Sequence, residues 1–168
     1  MRTAYPKDIP LTKVTTYSGF YDAPSVPGAK WWKEPANFSG TNFLHSQKFG
    51  QLDVVIGGMA IYDHGFIGPP SRHKTPGLDD DTLITEKQVG ERTGRFNFNL
   101  RYRPKKIPSL NYGVNGNFMK STNNFSLVWD NDTTGLYRAY PHTMTLQDQT
   151  MFYVDPFINY YTKGGLKH

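Results

Sequence analysis

The residues that could do chemistry are few and scattered. Histidines stand at His45, His64, His73, His142 and His168, and none has the HExxH spacing of a metal-binding helix. No GxSxG, P-loop or GxGxxG pattern occurs. Asp130-Asn131-Asp132-Thr133-Thr134-Gly135 opens like a calcium loop, but the closing position, which needs a bidentate Glu, is Pro141. We read it as a polar turn. Asp79-Asp80-Asp81 could hold a divalent cation, although a solvated charge run is the plainer reading. With no cysteine, a thiolate zinc site, a disulfide framework and a cysteine nucleophile are excluded. The expectation is a protein without catalytic residues, cofactor or metal.

The spacing that does carry information is an alternation of Arg and Asn with apolar residues. Arg95, Asn97, Asn99 and Arg101 interleave with Phe96, Phe98, Leu100 and Tyr102. A strand turns successive side chains to opposite faces, so this segment has one wet and one greasy face. The pattern returns in Leu110 to Ser121, where Tyr112, Val114 and Phe118 oppose Asn111, Asn115 and Asn117. It returns in Leu52 to Asp63, with Leu52, Val54 and Ile56 on the apolar phase. It returns again in Thr150 to Thr162, where Phe152, Val154, Ile158 and Tyr160 oppose Asp155 and Asn159.

These segments predict strands over 92–103, 110–121, 52–63 and 150–162. Phe38 to Lys48 and Val14 to Tyr21 have strand composition with poorer alternation, which gives about six strands in all. Aromatic residues at 15% and frequent Gly agree with an all-β chain. After Asn123 the apolar phase slips to Phe125, Leu127 and Trp129, through either a bulge or a rise of the strand into a loop rim. The connections alternate: 48–51 and 104–109 are short, whereas 65–90 and 130–148 are long and polar. The tail Lys163-Gly164-Gly165-Leu166 looks like the next short turn.

Strands near 11 residues, short turns on one rim and long loops on the other are the pattern of a transmembrane β-barrel. We therefore expect an all-β, antiparallel up-and-down meander that forms part of such a barrel, with 1–168 as a single unit. No run of 18 apolar residues exists, so no helix would span a membrane; a mean hydropathy of -0.60 is compatible with alternating strands. The apolar phase avoids charge at strand centres, where Lys or Arg costs roughly 2–4 kcal/mol against lipid. Its two charges, Arg92 and Lys120, fall at long-loop ends. Tyr102, Tyr112 and Tyr160 lie near the short turns and Tyr62 near a long loop, as amphipathic rings at headgroup level would. The net charge of +5 is scattered and gives no nucleic-acid patch.

The segments Lys48 to Gly58, Tyr62 to Gly68, Arg95 to Arg103 and Asn111 to Phe118 together resemble barrel hairpins of TonB-dependent outer-membrane receptors. Trp31-Trp32 followed by Phe38 to Asn42 is similar to the strand entry before them. The resemblance spans most of residues 10 to 162 and implies an internal piece of a 22-stranded barrel closed by a plug. It implies import of a nutrient such as a carbohydrate, siderophore or cofactor across the cell outer membrane. It also implies several partners: outer-membrane lipid, the rest of the barrel and its plug, the TonB complex through the missing N-terminal part, and a surface lipoprotein in the carbohydrate branch. The row Arg95, Asn97, Asn99, Arg101, Asn115, Asn117, Asp155 and Asn159 would then face the lumen. Two rival readings remain: a complete small eight-stranded barrel with an adhesion or structural role, and a soluble ligand-binding β-barrel.

Overall fold

The computed structural model describes residues 5–6, 8–26, 29–65, 67–70, 84–130 and 136–162. Six strands form one sheet in the order β1-β2-β3-β4-β5-β6, with every neighbour antiparallel. They are β1 Leu11–Phe20, β2 Asn37–Phe49, β3 Leu52–Asp63, β4 Glu91–Tyr102, β5 Leu110–Phe125 and β6 Thr145–Tyr160. The all-β meander expected from the alternation is the observed architecture.

Local chemistry explains the short connections. Gly50 takes φ 60 in the two-residue turn that pairs Phe49 with Leu52, the backbone a tight hairpin demands. Between β4 and β5, Ile107 N–H returns to the Pro104 carbonyl and Leu110 N–H to that of Ile107.

β1 begins at Leu11 rather than Val14, and the largest differences from the sequence expectation lie on the β5–β6 ladder. β6 starts at Thr145 rather than Thr150, because its first residues pair with Ser121–Phe125 of β5. That pairing runs one-for-one through Asn123↔Gln147 and Phe125↔Thr145, so the phase slip after Asn123 is not a bulge. β5 continues regularly, and Phe125 lines a cleft at the loop rim.

Both sheet edges are open among the described residues. Tyr21 donates its N–H to Ala36 beside β2, so by antiparallel alternation the odd residues of β1 bond to β2 and the even ones point to the open edge. On β6, Tyr161 donates to Ser109, so the even residues point outward there too. Pro156 is one of them. Its missing N–H falls where β5 offers no acceptor, which is why mid-strand proline is tolerated.

The apolar core lies among the loops at one rim, not under the sheet. Trp31, Trp32, Ala36, Val89, Ala139 and Met144 pack together there, joined by Tyr21, Ile67, Ile84 and Tyr137. Trp31 and Trp32 meet edge to face at 5.5 Å. Gly68 bridges Arg138, tying the loop after β3 to the loop after β5.

Candidate functional site

Pairing register sorts the residues singled out by the alternation onto two faces. One face carries the rows Asp53–Arg101–Gly113–Phe157, Val55–Asn99–Asn115–Asp155, Gly57–Asn97–Asn117–Tyr153 and Met59–Arg95–Met119–Met151. Asn111 and Asn159 pair beside them. All eight residues expected on the wet phase therefore share one surface. The other face carries Leu52–Tyr102–Tyr112–Ile158, Val54–Leu100–Val114–Pro156, Ile56–Phe98–Gly116–Val154 and Gly58–Phe96–Phe118–Phe152, with Tyr160 opposite Leu110.

Cross-strand hydrogen bonds link the side chains of the polar face. Arg95 Nε donates to Asn117 Oδ1 at 2.6 Å, Asn99 Nδ2 donates to Asn115 Oδ1, and Asn159 Nδ2 donates to Asn111 Oδ1 at 3.0 Å. Thr93 and Ser121 share a buried hydroxyl pair at 2.7 Å. Asn99 Oδ1 and Asn117 Nδ2 keep unused capacity among the described residues. The burial is inverted relative to an ordinary soluble sheet. On the interior strands Asn99 and Asn117 are buried, while Phe96 is 43% and Phe118 47% exposed. Contiguous exposed apolar surface of this kind marks an interaction face.

At the short-turn rim the polar face ends in an ion cluster. Asp53, with no exposure, accepts Arg101 Nε at 2.7 Å and Arg103 Nη2 at 2.7 Å. Two guanidiniums on one buried carboxylate offset the cost of taking it out of water. The Tyr5 ring covers Arg101. The sequence marked Arg101 but not its partner, since Asp53 and Arg101 become neighbours only once the long 64–90 connection is closed.

At the opposite rim, a cleft of about 360 Å³ lies between the sheet end and the loop core. It is lined by residues including Tyr21, Asp63, Glu91, Asn123, Phe125 and Gln147. The Tyr21 hydroxyl donates to both Asp63 carboxylate oxygens at 2.9–3.0 Å, and Gly65 N–H donates to Oδ1 at 2.7 Å. Burial, and then the hydrogen bond to the Asp63 carboxylate, push the Tyr21 hydroxyl up to about 12. Gly90 takes φ 103 here, where any side chain would strike the Asp63 carbonyl. This group joins the β1–β2 connection, the last residue of β3 and both ends of the β3–β4 connection, which the alternation does not bring together.

Among the described residues no three His, Cys, Asp or Glu side chains stand together as a metal site. His45 bonds Thr12 and Gln47, and His64 meets Trp31 edge-on at 5.4 Å. The Asp79–Asp81 run, His73, His168, residues 131–135 of the calcium-like turn and the 163–166 tail lie outside the described residues. No helix is long and apolar enough to cross a membrane, which leaves strands that cross one untouched. Comparison with protein-family models, curated proteins and solved structures gives no match.

Proposed function

We propose that this chain is a stretch of wall from a transmembrane β-barrel in an outer membrane, and that the barrel is a TonB-dependent receptor importing a scarce nutrient. The observation that carries the wall reading is the inverted sheet, apolar and exposed on one face, polar and hydrogen-bonded on the other. Soluble sheets bury the apolar face, whereas a membrane wall turns it to lipid and its polar face to a wet lumen. The dimensions agree. Ten residue steps of β3 separate the Leu52 row, which holds Tyr102 and Tyr112, from Tyr62. At ~3.3 Å per residue and a tilt near 40° that is a height of about 25 Å, the apolar band between aromatic girdles. Tyr102 and Tyr112 stack at 5.6 Å, and Arg92 lies over Tyr62, outside that band. Receptor membership rests on the resemblance of the hairpin segments to that family.

Tryptophan placed at Phe98 or Asn97, on opposite faces, tests the wall reading. In vesicles of brominated lipid, Phe98→Trp should be strongly quenched relative to the parent chain and Asn97→Trp should not. Equal quenching of the two would overturn it. Receptor membership is tested by the reading frames flanking this one. Plug-encoding sequence upstream and further alternating strands downstream are expected, and their absence favours a small complete barrel.

A further inference from the structure

Tyr5 and Pro6 precede β1 in sequence, yet they do not sit beside its start. The Tyr5 ring centroid is 3.2 Å from the Arg101 guanidinium of β4, and Pro6 is buried. Arg101 projects from the polar face, held there by Asp53. On the way back to Leu11 the chain passes β2, where Asp8 takes Lys48 Nζ at 2.6 Å. The route runs over β2 and β3 along the short-turn rim. Strands stand ~4.8 Å apart, so β1 to β4 is about 14 Å; the six residue steps from Tyr5 to Leu11 reach about 20 Å when extended. The segment crosses the sheet with little slack.

This path excludes the usual meander entry. A wall strand immediately upstream would leave Leu11 along the rim toward the open side of β1, away from β2. The chain goes the opposite way and stays on the polar face. We infer that β1 is the first strand of the wall, reached from the lumenal side, and that Arg101 is the docking point of the entering segment. This rests on the wall reading and adds the identity of the β1 edge: whatever strand covers that edge comes from downstream of β6.

The test places a photo-crosslinking aromatic at the docking point, Tyr5→p-benzoylphenylalanine, in the full chain folded in detergent micelles. Irradiation followed by peptide mapping should find capture in 51–53, 101–103 and 111–113. Capture confined to 9–14 and 44–49, or no capture, would overturn the inference, because a chain continuing along the β1 edge reaches only those residues. Brominated-lipid quenching of Phe98→Trp, read separately, reports on the wall reading. Failed quenching with capture at 101–103 removes the wall and keeps the docking, and the reverse pair removes only the docking.

Discussion

Asp53 and Arg101 are direct partners across the β3–β4 ladder, and the fully buried carboxylate takes Arg101 Nε at 2.7 Å while Arg103 reaches its other oxygen. The cluster closes the short-turn end of the polar face and fixes the charge that Tyr5 covers. Removing the carboxylate leaves two guanidiniums without a counter-charge. Breaking a buried pair costs ~3–5 kcal/mol, and the 39% exposure of the Arg103 side chain puts Asp53→Asn at the low end of that range. Urea unfolding of the chain in detergent should show a clearly lowered midpoint. Asp53→Leu with Arg101→Met should lose less than Asp53→Asn alone, since no charge is then stranded at the Arg101 position.

Placement on the apolar face sets the tolerance to charge. Phe98 lies mid-strand between Ile56 and Gly116, at the centre of the apolar band. Phe98→Arg should destabilise the vesicle-inserted chain by about 2–4 kcal/mol, and Tyr62→Arg at the band edge by about 0–1 kcal/mol. Unfolding midpoints in lipid vesicles measure both. Similar midpoints for the two variants would mean that this face does not meet lipid.

How much of this was legible follows from range. The bounds of β3, Leu52 to Asp63, were visible because alternation and a Gly turn are local signals. The first five residues of β6 were not. Thr145, Leu146, Gln147, Asp148 and Gln149 carry no clean alternation, and they are strand because Ser121–Phe125 pairs with them. The eight polar-phase residues fell on one face because period two alone decides it. The Tyr21–Asp63 contact and the Trp31–Trp32 core depend on closing long connections, about which a linear pattern says nothing.

The rim contact has a pH signature. Tyr21 donates to Asp63 only while protonated, and its hydroxyl is raised to about 12 from 10.0. A raised value in the folded state gives a contribution fully present below pH 10, lost as pH climbs through about 12. Phenolate absorbance of the folded chain, with Tyr21→Phe subtracted, should show one tyrosine titrating near 12. The variant should also lack the extra loosening of the loop core in that window. A difference titration centred at 10 would mean that the Tyr21 hydroxyl is neither buried at the rim nor bonded to Asp63.

The two edges make the last prediction, and parity decides it. Val14 N–H points to the open edge of β1, whereas Lys13 N–H points to β2, where Lys13 pairs with Leu44. Proline removes one donor in either case. At position 14 that donor has no partner within the sheet, so Val14→Pro should leave the β1–β2 ladder intact. Lys13→Pro removes a ladder bond and should release β1. Unpaired edges template association in water, so the parent chain in plain buffer should aggregate rather than unfold sharply and reversibly. Val14→Pro, with its β1 edge blunted, should aggregate more slowly in light scattering, while Lys13→Pro should aggregate at least as fast as the parent. Aggregation of Val14→Pro as fast as that of the parent would mean that the β1 edge is not a route of association, leaving β6, already interrupted at Pro156, as the sticky side.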